Sequence, residues 1–328
     1  KGKKPKYSFV IVGNSGTILT SPDGTTWITQ NSGTDKRLTG ITYGNDTFVA
    51  VGWGGTVLSS LDGITWGVEN SETQVNLNNV TFENNTFVAV GANATTDGII
   101  LTSPNGTAWT DRTPQNTNAL YGVTFGNNTF IAVGGFAQGN GGEGSEGVGD
   151  ILTSADGATW TEQTNGTSPI LQVTYANSTF VTVGEDGRIL TSSDVTTSSA
   201  TVSTVALTGI DPGPYGFDFE KMTASGQDLY LATMMEEFYR VNLVAGQGGV
   251  TTGEMSEIEP SFTAASFYNT GSEVQLSYMR AFTTDGSALY LADGKLIRKI
   301  SVKPQETFIV TVSSASGNNR FALNGEEI

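Results

Sequence analysis

The 328-residue sequence contains no cysteine and no histidine. Without cysteine there is no disulfide framework and no thiolate nucleophile; without histidine there is no imidazole base and no imidazole metal ligand. Most hydrolase mechanisms are thereby excluded. Charged residues make up only 15% of the chain, and 16 lysines and arginines face 32 aspartates and glutamates, a formal charge of −16. So acidic a chain does not neutralise phosphate backbones, which excludes nucleic acid as a default partner. The one basic run, Lys1, Lys3, Lys4 and Lys6, reads as a solvated tail. No apolar run approaches the roughly 18 residues of a membrane span, and no leader pattern precedes Tyr7, so neither membrane insertion nor a targeting signal is expected.

What the chain has in quantity is glycine, 42 residues, beside 37% hydrophobic residues, a composition that suits many short strands and tight turns. Its length alone allows two domains or a single propeller of six or seven blades. The repeats decide. Ser21-Pro22-Asp23-Gly24-Thr25-Thr26-Trp27 recurs as Ser60-Leu61-Asp62-Gly63-Ile64-Thr65-Trp66, Ser103-Pro104-Asn105-Gly106-Thr107-Ala108-Trp109 and Ser154-Ala155-Asp156-Gly157-Ala158-Thr159-Trp160. The four tryptophans stand 39, 43 and 51 residues apart. Each copy follows a strand-like segment: Ser8–Gly13, Thr47–Gly52, Thr86–Gly91 and Thr129–Gly134, with a fifth at Thr179–Gly184. Short alternating segments (Leu38–Tyr43, Asn79–Phe82, Tyr121–Phe125, Leu171–Tyr175) and Asn-rich turns precede the last four, the chemistry of hairpins that need positive φ. Four short strands per unit of about 40 residues predict propeller blades.

The repeat decays at Ser192-Ser193-Asp194-Val195, where Gly and Trp are lost. Thr196–Thr208 still has strand composition, and two divergent units follow, centred on Asp228–Ala232 and Ala288–Ala292, with strands expected at Phe238–Leu243 and Lys295–Val302. The expectation is an all-β propeller over 1–304, regular over 7–198 and divergent over 199–304, with seven four-stranded blades and six or eight as the range. Gly134–Asp150, rich in Gly and Glu, is expected to be a surface loop, and Gly246–Gln275 to hold long loops or an extra element. The first unit lacks a leading strand. Within 305–328, Thr307–Val312 either supplies it or begins a further β-module, whose opening this segment resembles in phage and cyanobacterial surface proteins.

The Ser-x-Asp-Gly-x-Thr-Trp turns resemble the Asp-box, or bacterial neuraminidase repeat, of sialidases, of the photosystem II assembly factor and of many bacterial and viral propellers. The family pattern has one more residue between Ser and Trp, so these are shortened boxes. The resemblance implies a propeller in which Ser21, Asp23, Gly24 and Trp27, Ser60, Asp62, Gly63 and Trp66, Ser103, Asn105, Gly106 and Trp109, and Ser154, Asp156, Gly157 and Trp160 fasten the blades. Sialidase activity would further need an Arg cluster, a Tyr/Glu pair and an acidic proton donor. None of Arg37, Arg112, Arg188, Arg240, Arg280, Arg298 and Arg320 has the family's Arg-Ile/Leu-Pro context.

Carboxylate pairs can cleave glycosides without histidine. The densest group is Asp218, Glu220, Glu236 and Glu237, beside Tyr215, Phe217, Phe219, Phe238 and Tyr239; as a ligand site it would take a sugar or a cation. No calcium-loop spacing and no cofactor motif occurs. Asn-x-Thr sequons at Asn45, Asn84, Asn93, Asn105, Asn127, Asn165 and Asn177 coincide largely with turns that demand Asn and Thr in any case. The leading expectation is a non-enzymatic structural or binding propeller, a phage appendage, tail-fibre or decoration protein or a bacterial surface protein. It would contact other structural proteins of the particle or surface, or glycans, and a homo-oligomer is compatible with it. The alternatives are a carbohydrate-active enzyme and an assembly factor for a photosynthetic or membrane complex.

Overall fold

The computed structural model describes residues 9–23, 26–93, 97–136, 148–165, 169–176, 178–184, 189–193, 203–204, 206–208, 219–225, 228–233, 238–246, 249–257, 262–264, 279–284, 288–293, 296–301, 322–323 and 326–327, with side chains chiefly up to Ser193. These residues form seven sheets of three to five strands, plus a two-stranded ribbon at Ala322–Leu323 and Glu326–Glu327. In the second to fifth sheets four strands follow one another antiparallel, first to fourth. They are Leu38–Gly44, Thr47–Gly52, Val57–Ser60 and Gly67–Glu69; Asn76–Glu83, Thr86–Ala92, Gly98–Ser103 and Thr110–Asp111; Leu120–Gly126, Thr129–Phe136, Val148–Ser154 and Thr161–Asn165; and Ile170–Ala176, Thr179–Gly184, Ile189–Ser192 and Ser203–Thr204. The first strands of successive sheets pack against one another, which makes them the inner strands of a β-propeller. Among the described residues the first sheet has three strands, Phe9–Val12, Ile18–Ser21 and Ile28–Gln30, and no inner one. Thr307–Val312 lies outside the described residues.

The divergent half departs from the sequence reading in its connections. Gly249–Glu257, within the stretch expected to hold long loops or an extra element, is the fourth strand of the sixth sheet after Phe219–Ser225, Asp228–Thr233 and Phe238–Gly246. A fifth strand, Ala206–Thr208, joins that sheet in parallel. In the seventh sheet Phe262–Ala264 comes from upstream to pair with Leu296–Ser301, outside Met279–Thr284 and Ala288–Asp293. Alternation alone does not reveal a strand that reaches its sheet from upstream, because pairing partners distant in sequence leave no local turn signal.

The hairpins between first and second strands turn on left-handed pairs: Asn45 and Asp46, Asn84 and Asn85, Asn127 and Asn128 all have φ between 43° and 59°. Asn tolerates that region, and the following Thr47, Thr86 and Thr129 hydroxyls donate to the carbonyls of Asn45, Asn84 and Asn127. Three sequons are thus occupied by turn chemistry. Every inner strand also carries a one-residue bulge, at Thr39, Asn78, Tyr121, Leu171, Glu220 and Arg280. A bulge frees a carbonyl and re-aims a side chain. Thr39 Oγ1 donates to the carbonyl of Leu77 at 2.6 Å and Asn78 Nδ2 to that of Leu120 at 2.8 Å, each stapling its inner strand to the next sheet.

Between sheets the core is apolar. Trp109 of the third sheet is buried against Val49, Val51 and Val57 of the second, and Trp160 of the fourth against Val88, Val90 and Ile100 of the third. Trp66 packs the same way on Val12 and Ile18 of the first. Trp27 is only 3% exposed, with Phe9, Ile11 and Leu19 of its own sheet packed against it. Trp109→Ala should therefore lower unfolding free energy by about 3–5 kcal/mol, and Asn78→Ala by about 1 kcal/mol. Urea unfolding at constant m-value checks both.

Candidate functional site

The four repeat turns come first, because they hold the residues the sequence marked most strongly. In each, the Ser hydroxyl donates to the carboxylate or amide oxygen two residues on, at 3.0–3.1 Å (Ser21–Asp23, Ser60–Asp62, Ser103–Asn105, Ser154–Asp156). Gly63, Gly106 and Gly157 then donate their backbone N–H to that Ser oxygen at 2.8–2.9 Å. These glycines have φ of 75°, 78° and 74°, and a Cβ on Gly106 would sit 2.5 Å from Val49 of the neighbouring sheet. Trp66, Trp109 and Trp160 close each turn by donating Nε1–H to the glycine carbonyl at 2.8–3.1 Å. Gly24 lies outside the described residues, and Trp27 Nε1 is buried without a partner.

The Asp oxygens are consumed inside the turn. Asp62 Oδ1 accepts from the amides of Ile64 and Thr65 at 2.8 Å, and Asp156 Oδ1 from those of Ala158 and Thr159 at 2.8 and 2.9 Å. Those backbone N–H bonds hold both carboxyls below the usual carboxylate range. Asn105 accepts from Thr107 and Ala108 at 3.1 Å, so a neutral amide makes the same turn with longer bonds. These bonds fasten the turns' own backbone.

Of the acidic group, Asp218, Glu236 and Glu237 lie outside the described residues. Glu220 occupies the bulge of the sixth inner strand and Tyr239 pairs with Leu231 and Glu257. Of the five, the described residues thus hold only Glu220 and Tyr239, on the first and third strands of the sixth sheet. Part of the loop expected at Gly134–Asp150 is ladder: Gly134 pairs with Asp150 and Phe136 with Val148, while 137–147 lie outside the described residues. Asp150 is 4% exposed and fills the place of Ile99 in the third sheet. Burial pushes its carboxyl above the usual range, and hydrogen bonds from the Asn118 side chain and backbone pull the other way.

The two ends of the sheets differ. Among the described residues, the end with hairpins and repeat turns carries Asp23, Asp46, Asp62, Glu83 and Asp156 and no lysine or arginine. The opposite end, with the loops between second and third strands, carries Lys36 and Arg37 among Asp35, Glu72 and Asp97. There Trp53 stands 45% exposed. Its backbone is fixed: Trp53 N–H donates to the Arg37 carbonyl at 2.9 Å, Thr56 Oγ1 to the Trp53 carbonyl at 2.7 Å, and Gly54 N–H to Asn76 Oδ1 at 2.8 Å. The Arg37 guanidinium lies 5.2 Å from the ring centroid, a cation–π contact on one side.

The fold does not require this tryptophan. The first sheet builds the same turn from Gly13-Asn14-Ser15-Gly16-Thr17, with Thr17 Oγ1 bonded to the Asn14 carbonyl at 2.7 Å and flanking dihedrals within a few degrees of the second sheet's. An asparagine serves there, so the indole is surplus to the turn. The sequence held one signal for it: of five tryptophans, Trp53 alone falls outside the repeat turns.

No family model and no curated protein matches the sequence. Solved structures do. YCF48 from Cyanidioschyzon merolae is 15% identical over 91% of this chain and 92% of its own, with a TM-score of 0.59. YCF48 bound to D1 peptide gives 14% identity, 91% and 89% coverage and a TM-score of 0.58. The WD40 propeller domain of Doa1 gives 10% identity, 92% and 91% coverage and a TM-score of 0.59. The likeness is one of fold: all of them are β-propellers, and so is this chain.

Two pH dependences follow. The lowered carboxyls of Asp62 and Asp156 contribute stability above their unfolded value of 3.8, lost as pH falls through the lower folded values. Asp62→Asn with Asp156→Asn should flatten the acid limb of the melting profile below about pH 4, at a neutral-pH cost under about 1 kcal/mol per site. Asp150 has the opposite sign: its raised carboxyl penalises folding as pH rises above 3.8, so Asp150→Asn should raise Tm at pH 7 and leave it unchanged at pH 3.

Proposed function

We propose that this chain is a non-enzymatic binding propeller that engages a protein partner through its loop-bearing end, with Trp53 as the anchor. The observation that carries this reading is a rigidly held, half-exposed indole at a position where the sister turn has Asn14. Exposed tryptophan beside arginine is the composition of interface hot spots, and a fixed backbone removes the entropy that binding would otherwise cost. The opposite end, uniformly acidic in its described turns, has its aspartates committed to holding the turns. A propeller taking a peptide has a precedent of fold in YCF48 bound to D1 peptide. Placement on a phage particle or a bacterial surface accords with the sequence's repeat-built body, acidic charge and lack of catalytic histidine or cysteine.

The test is capture by the purified chain of proteins from particle and cell-surface fractions, repeated with Trp53→Ala. The variant should melt within a few degrees of the parent and lose about 2 kcal/mol of affinity, roughly thirtyfold in Kd, for the captured protein. Unchanged affinity would remove Trp53 from the interface. Glycan turnover abolished by Glu236→Gln or Asp218→Asn would replace the binding role with a glycosidase.

A further inference from the structure

The interfaces between regular sheets reuse one set of positions. Around Trp160 they are Val88, Val90 and Ile100 of the third sheet with Val123, Phe130, Ala132 and Leu152 of the fourth. One sheet further on, the corresponding residues are Ile131, Val133 and Ile151 of the fourth with Val173, Phe180, Thr182 and Leu190 of the fifth. No tryptophan arrives to complete this second set, since the sequence has Val195 in place of the turn glycine and Ser198 in place of the indole.

A cavity of about 10 Å³ lies there, lined by Ile131, Ile151, Val173, Phe180, Thr182 and Leu190 among others. The larger Ile131, where the third sheet has Val88, and Thr182, where the sister strands have Ala89 and Ala132, take up much of the lost volume. They do so at a cost. Thr182 is 6% exposed and its hydroxyl has no hydrogen-bond partner, a loss that a buried polar atom feels in full. On its other side the fifth sheet loses the bulge staple as well: Leu171 stands where Thr39 and Asn78 donate to the next inner strand, and leucine has no donor.

From these three observations we propose that the fifth sheet is the yielding element of the ring, parting from the fourth along the cavity while the second to fourth sheets stay locked. Local opening is governed by the contacts that a segment must give up, and among the described residues this sheet has neither the packed indole of Trp66, Trp109 and Trp160 nor the bulge donor of Thr39 and Asn78. The inference is independent of any partner at Trp53.

The absence of native cysteine makes it measurable by thiol labelling. Ile131→Cys places a buried thiol at the fourth–fifth interface and Val88→Cys its counterpart at the third–fourth. In native buffer the first should label roughly tenfold faster or more. Adding Thr182→Ala, Val195→Gly and Ser198→Trp to the Ile131→Cys variant, which restores the turn glycine and its indole, should bring its rate down toward that of Val88→Cys. Hydrogen exchange on the unmutated chain supplies the second measurement: amides of Thr179–Gly184 should exchange faster than those of Thr86–Ala92. Equal labelling of the two thiols, or equal protection of the two strands, would overturn the proposal.

Discussion

The regular half of the molecule depends on a tryptophan held upright by its own turn. A regular sheet here is apolar on both faces, and each face must be closed against its neighbour without large voids. Trp66, Trp109 and Trp160 do this because the indole N–H is anchored to a glycine carbonyl that only a left-handed residue can present. The Ser hydroxyl and the Asp or Asn oxygen fix that glycine in turn. A chain of short hydrogen bonds at the rim therefore sets the spacing of the apolar interior.

This arrangement explains why so acidic a chain shows so little chemistry at its most repeated residues. A carboxylate that accepts two backbone N–H groups is satisfied and stays ionised, the opposite of a proton carrier poised for transfer. Asn105 doing the same work with a neutral amide makes the point within one molecule. Functional side chains belong instead where the backbone leaves the choice of residue open. The turn at Trp53 is such a place, because its hydrogen bonds are all backbone, threonine or asparagine in origin.

How much could be read beforehand follows from the same distinction. Turn chemistry is local, so the repeat turns, the Asn hairpins and the strands they join were legible from spacing and residue type. The bulges were invisible, since one extra residue in an inner strand perturbs a short alternating pattern too little to register. Upstream pairing of Ala206–Thr208 and Phe262–Ala264 leaves no local trace either. Asp150 was placed in a loop on the strength of its Gly-rich neighbours, whereas its backbone is committed to pairing with Gly134 and Thr164.

The bulge staples run one way. Thr39 of the second sheet reaches forward to Leu77 of the third, and Asn78 forward to Leu120 of the fourth, while Trp66, Trp109 and Trp160 reach backward into the sheet before their own. The second and third units thus each carry a plug for the predecessor and a hook for the successor. Such units are interchangeable modules: duplicating or deleting a whole one in frame leaves a matching plug and hook at the new junction. The ring's length is then free to vary in evolution by unit steps, and its irregular sheets are where the two ends of that count had to be reconciled.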